Sequence, residues 1–112
     1  MSKPVTRAYS RYSRDAIELL GQMIHAGRVA RKLTAEDLSA RAGVSRALLR
    51  RIERGDPGCS IGAVFEAAAI VGVPLFVADK AGLRSELAHS ADKLSLLPKS
   101  VRKPGKAIKD DF

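Results

Sequence analysis

The chain has 112 residues, with 20 Lys+Arg against 12 Asp+Glu, a formal charge of +8 and a pI near 10.2. That length allows one small domain and excludes a multidomain enzyme, while a single cysteine, Cys59, excludes a disulfide scaffold and fits a reducing cytosol. Hydrophobic residues make up 46 % but aromatics only 4 %, without Trp, a profile of a compact, aliphatic, helical domain for which oligomerisation is expected.

Residues 1–14 are polar and basic with no acidic side chain, and read as a flexible arm. Asp15 is expected to cap a first helix, with Glu18 completing a capping box; Ile17, Leu20 and Ile24 recur at helical spacing and carry it to about Lys32. Thr34 caps a short second helix with Glu36 and Asp37 in its first turn, where the helix dipole favours negative charge. Gly43 ends it in the left-handed conformation. Ser45 caps a third helix over 46–54, stopped by Gly55-Asp56-Pro57-Gly58, and Ser60 a fourth over about 61–71, closed by Gly72 and Pro74. Leu33, Leu38, Val44, Leu49, Ile52, Ile61, Val64, Phe65 and Ala68 form the expected core. The run Pro74 to Ala78 is β-prone and predicts a short strand. Leu83, Leu87, Ala91 and Leu94 mark an amphipathic helix over about 80–96, and the Lys-, Pro- and Gly-rich residues 98–112 read as a disordered basic tail. The expected organisation is thus an arm (1–14), a helical domain (15–78), an amphipathic helix (79–97) and a tail.

The longest apolar run, Ala67 to Ala78, is 12 residues and is broken by Gly72 and Pro74, short of the ~18 that a spanning helix needs. The basic N-terminus is followed by Glu18, Gln22 and His25 and not by a clean apolar segment. The expectation is a cytoplasmic protein that does not engage a membrane.

Charge is unevenly placed. Residues 1–56 carry 12 basic and 6 acidic side chains, residues 57–97 carry 3 and 4, and residues 98–112 carry 5 and 2. Five arginines fall within 41–55, opposed only by Glu53. Such a cluster attracts a polyanion, above all nucleic acid; the alternative is a solvated helix face.

With Leu49 and Ile52 turned inward, Arg46, Ala47, Arg50 and Arg51 fall on the outer surface of the third helix. A helix that enters the major groove reads base edges from such positions. Arginine grips guanine O6 and N7 with two bonds and an alanine methyl can meet thymine, so a G-containing half-site is expected. Thr34, Arg41, Ser45 and Arg54, at helix ends, are the candidates for phosphate contacts.

The stretch 33–55, LTAEDLSARAGVSRALLRRIERG, closely resembles the helix-turn-helix of the lambda-repressor/Cro-like (XRE) family. The matching features are Leu33-Thr34, Leu38, Gly43-Val44-Ser45, Leu49 and Ile52-Glu53-Arg54-Gly55. Leu20 to Arg28 resembles the family's first helix and Ser60 to Leu75 its fourth. The resemblance implies a mostly all-α, four- or five-helix DNA-binding domain, base contacts at the positions of Arg46, Ala47 and Arg51, and a structural salt bridge between Arg28 and Glu53. It departs from the family at Ala35, where a Gln commonly holds a phosphate.

The chain as a whole, with its VPLF segment, Leu94-Ser95-Leu96-Leu97-Pro98 and terminal Asp-Asp-Phe, resembles HipB-type antitoxins. That resemblance implies a homodimeric repressor of its own operon that reads a palindromic operator and binds a HipA-type kinase toxin. Leu75, Phe76, Leu83, Leu87, Leu94 and Phe112 are the candidates for the dimer or partner surface. The alternatives are a stand-alone XRE regulator and a protein-interaction module without specific DNA binding. There is no GxGxxG, CxxC or HExxH, and His25 and His89 read as bystanders, so neither catalysis nor a metal nor a cofactor is expected.

Overall fold

A computed structural model describes residues 8–77 and 79–104. The chain divides into two compact units, one ending at Phe76 and one starting at Val77.

The first unit holds four helices: α1 (Arg11–Ala30), α2 (Ala35–Ala42), α3 (Arg46–Glu53) and α4 (Ile61–Ile70). α1 and α2 each pack on both α3 and α4. Their shared core is Ile24, Leu38, Leu49, Ile52, Ala67, Ala68, Val71 and Val73, with Leu20, Leu33, Val44, Leu48 and Val64 partly buried around it. Burying one such Leu or Ile contributes ~1.5–3 kcal/mol, and α3 places two of its eight residues in this core.

Local chemistry sets the helix ends. The Thr34 hydroxyl accepts from the Asp37 backbone N–H and the Asp37 carboxylate from the Thr34 N–H, both at 2.9 Å, a reciprocal box that starts α2. The bond from the Thr34 backbone N–H, seconded by the Thr34 hydroxyl, holds the Asp37 carboxyl below the usual carboxylate range. Gly43 ends α2 at φ +71°, and a Cβ built there would meet nothing within 4 Å; the position requires a backbone angle, not space. Ser45 then caps α3 through Leu48 N at 3.0 Å.

Gly21 shows the opposite requirement. A Cβ there would lie 2.6 Å from the Ile52 carbonyl oxygen and 2.9 Å from that of Glu53, so its absence lets α1 lie directly on the end of α3.

Several expectations need correction. α1 starts at Arg11 with Ser10 as its cap (Ser10 Oγ accepts from Ser13 N at 3.1 Å), so Asp15 lies inside the helix and residues 11–14 are not part of an arm; residues 1–7 lie outside the described residues. Ile61 is 70 % exposed. It falls in the first turn of α4, at the rim of an open apolar groove of about 230 Å³ shared with Ile17, Leu20, Ile52, Val64 and Phe65. Ser60 stands at the cap position of α4 but makes no side-chain capping bond. No strand forms among the described residues of 74–78; Leu75 and Val77 are isolated bridge positions, and Phe76 between them takes φ +74°, which breaks an extended run.

The second unit contains α5 (Lys80–Ser95), capped by Asp79 through Gly82 N at 2.7 Å. None of its residues is buried. Leu83, Leu87, Ser90, Leu94 and Leu97 follow one another at alternating steps of four and three, the spacing of a helix-pairing seam. Residues 98–104 form no helix or strand, and the rest of the expected tail, Phe112 included, lies outside the described residues. Among the described residues no helix is long and apolar enough to cross a membrane.

Candidate nucleic-acid interface

α3 presents two faces. Leu49 and Ile52 are buried and Leu48 is half-buried against the core, while Arg46, Ala47 and Arg50 are exposed. The apolar Leu48 thus belongs to the packing side and not to the outer face. Among the described residues no ion pair holds Arg46 or Arg50, so two cations one turn apart stand unneutralised toward solvent. Such a face raises the local potential for a polyanion.

Arg51 is arranged differently. Its Nε donates to Asp56 Oδ2 at 2.9 Å, and Asp56 is itself fixed by its Oδ1, which accepts from Gly58 N at 2.7 Å. The hydrogen bond from Arg51, seconded by that of Gly58, holds the Asp56 carboxyl below its usual range; Asp56 in turn raises the Arg51 guanidinium. Cys59, close by, is pushed up by burial, which keeps its thiol protonated.

The hydroxyls of Thr34 and Ser45 both accept a capping bond; the O–H of Ser45 remains able to donate, while that of Thr34 also serves the Asp37 carboxylate. Both residues are exposed, as are Arg41 in the last turn of α2 and Arg54 at the end of α3. Ala35 packs against the core; a longer polar side chain there would have to leave that contact.

Behind the outer face the structure brings Arg28 and Glu53 together. Arg28 Nε donates to Glu53 Oε2 at 2.7 Å and Nη2 to Oε1 at 3.0 Å, while Nη1 donates to the Leu33 carbonyl at 3.1 Å. The two side chains are 14 % and 12 % exposed. One guanidinium thereby ties α1 to α3 and to the turn before α2. His25, one turn earlier on α1, completes the cluster: its Nδ1 lies 2.7 Å from Glu53 Oε1 and 3.3 Å from Arg28 Nη2. A proton on Nδ1 satisfies the carboxylate contact, so Glu53 selects that tautomer. Burial raises the Glu53 carboxyl, but the bonds from Arg28 and His25 outweigh it and hold the group below the usual range.

Of the residues expected at a dimer or partner surface, Leu75 is half-buried. Phe76 is 86 % exposed, with its ring edge-on to Phe65 at 6.2 Å. Leu83, Leu87 and Leu94, on α5, are exposed.

Sequence reasoning missed two members of this site. His25 carries a signal only in hindsight, its i, i+3 spacing from Arg28. Asp56 sits in the Asp-Pro-Gly turn, which reads as a helix stop and not as a partner for Arg51.

Comparison with known proteins agrees with this geometry. The sequence model for the helix-turn-helix domain matches residues 19–79, more than half of the chain and the span from α1 to the start of α5. No curated protein and no solved structure matches. Two short helices joined across Gly43-Val44-Ser45, the second with a cationic outer face, occupy the centre of the matched span, and the chain belongs to the helix-turn-helix domain family of DNA-binding folds.

Proposed function

We propose that the protein is a sequence-specific, double-stranded-DNA-binding transcriptional repressor, a binder and not an enzyme, of the lambda-repressor/Cro-like (XRE) kind. The observation that carries this is the outer face of α3, where Arg46 and Arg50 stand exposed and, among the described residues, outside any ion pair, on a helix held from behind by Arg28 and Glu53. In this reading α3 enters the major groove. Arg46, Ala47, Arg50 and Arg51 meet base edges, while Thr34, Arg41, Ser45 and Arg54 meet phosphates.

A palindromic operator calls for a two-fold reader, and α5 supplies a means of pairing. In an antiparallel pair of α5 helices, Leu83 of each copy faces Leu94 of the other, and Glu86 of each faces Lys93 of the other. The chain's likeness to HipB-type antitoxins extends the proposal to autoregulation of an operon shared with a HipA-type kinase toxin, which the protein would also bind.

The test is a titration at ~150 mM salt into a duplex from the region upstream of its own gene and into a scrambled duplex. Preference for the first by at least ~10³ is expected, with Arg46→Ala eroding the ratio and not affinity alone. Equal, weak binding to both duplexes would sink the repressor reading and leave a protein-interaction module. Co-purification with a kinase-like protein encoded alongside tests the antitoxin role; its failure leaves a stand-alone regulator.

A further inference from the structure

The Arg51–Asp56 pair sets Arg51 apart from the other arginines of the outer face. Among the described residues its guanidinium is engaged through Nε alone, so Nη1 and Nη2 remain as a two-pronged end, the shape that matches O6 and N7 of one guanine. The side chain is 43 % exposed in spite of the pairing, so the carboxylate steadies it without enclosing it. Asp56 does not swing freely, because Gly58 N pins its second oxygen at 2.7 Å. Gly58 also leaves the room required: a Cβ there would come within 3.2 Å of Arg51 Nη2. The chain after α3 therefore builds a small bracket, Asp56-Pro57-Gly58, around one arginine.

We propose that Asp56 is a positioning residue for DNA reading, which fixes the rotamer of Arg51 so that its terminal fork addresses a single guanine. The inference rests on the proposed reading of α3 as the groove-entering helix. A long, flexible side chain loses rotamer freedom when it binds; Asp56 imposes that order before DNA arrives. Asp56 also carries a negative charge close to the interface, so it opposes binding to any phosphate backbone. Its two effects have opposite signs: it raises discrimination and lowers indiscriminate affinity. A merely structural ion pair would do neither.

The experiment selects duplexes from a library with a randomised 20-base-pair core, using the full-length wild-type protein, Arg51→Ala, Asp56→Asn, the double variant and Arg46→Ala in parallel. Each protein is then titrated into the wild-type consensus and a scrambled duplex, and its thermal melt is recorded. Arg51→Ala is expected to erase a guanine preference at one position per half-site and to cut the specific-to-scrambled ratio by about 5- to 150-fold. Asp56→Asn is expected to weaken the preference at that same position, with a loss of about two- to tenfold, while affinity for the scrambled duplex holds or rises. The double variant should be no worse than Arg51→Ala, and the preference erased by Arg46→Ala should lie elsewhere and survive Asp56→Asn.

Retention of the full preference by Asp56→Asn, or its sharpening, overturns the proposal, the latter by showing that Asp56 withdraws Arg51 from DNA. A uniform loss at every position together with a lowered melt assigns the pair to the fold and overturns it too. A wild-type selection with no consensus removes the DNA-reading function itself, an outcome distinct from all of these.

Discussion

Arg28 on α1 and Glu53 on α3 share two hydrogen bonds, Nε to Oε2 at 2.7 Å and Nη2 to Oε1 at 3.0 Å. The pair is nearly buried and sits behind the outer face of α3. Glu53→Gln removes the charge that Arg28 was desolvated to meet. The expected cost is ~2–4 kcal/mol, toward the lower end for a buried pair broken on one side, read by urea or thermal unfolding. A loss under ~0.5 kcal/mol would mean that the pair behaves as a surface contact.

The same carboxylate gives stability a pH dependence. Glu53 titrates lower in the folded chain than in the unfolded one, so its contribution is complete above the ordinary carboxylate range and is lost as pH falls through its lowered folded value. Melting temperature should fall more steeply between roughly pH 5 and pH 3 in the wild type than in Glu53→Gln. Parallel curves would show that other carboxylates dominate acid unfolding.

Replacing Gly43 and replacing Gly21 should destabilise the fold for different reasons. At Gly43 the penalty is conformational: Ala should cost ~1–2 kcal/mol and Asn less, because Asn tolerates the left-handed region. At Gly21 the penalty is collision with the Ile52 carbonyl. There Ala should cost a net ~1–3 kcal/mol despite its better helix propensity, and Asn should be worse still. The order of Ala and Asn, measured by thermal unfolding at both sites, separates the two causes.

Arg46 and Arg41 should fail differently on DNA. Arg46→Ala is expected to lower discrimination by ~1–3 kcal/mol at one base position. Arg41→Ala should weaken all duplexes alike and reduce the slope of log affinity against log salt by about one. If Arg46→Ala also weakened all duplexes alike, both side chains would be phosphate contacts.

Self-association through α5 can be probed by charge reversal. Glu86→Lys or Lys93→Glu alone puts like charges opposite each other in the antiparallel arrangement and should weaken a dimer seen by sedimentation, while the double variant restores it. A double variant weaker than either single one would exclude this pairing.

Much of the fold was legible because its signals are local. Thr34, Ser45 and Gly43 each act within four residues of themselves, and the spacing of Leu38, Leu49 and Ile52 needs only a helix to be read. The start of α1 was not legible, because residues 11–14 carry no apolar periodicity; that turn stands on the Ser10 cap and not on burial. The β-prone character of 74–78 describes side chains suited to a sheet, but a strand also requires a partner and extended backbone, and Phe76 departs from the latter. At the site, helical phase placed the arginines of α3 outward. It had no means of showing that Asp56 reaches Arg51 or that His25 meets Glu53 across 28 positions, since those pairings exist only once the helices are packed.

α3 has eight residues, well under the ~12–15 at which an isolated helix becomes even marginal in water. Its outer surface therefore has no existence apart from the cooperative unit that carries it. Occupancy of a cognate duplex and integrity of the domain are linked quantities: each raises the other by mass action. A core substitution such as Leu38→Ala, distant from any nucleotide, should then appear in a binding assay as an apparent dissociation constant raised in proportion to the lost folded fraction, with the intrinsic constant of the folded molecules unchanged. Saturating duplex should raise its melting point and recover part of that fraction.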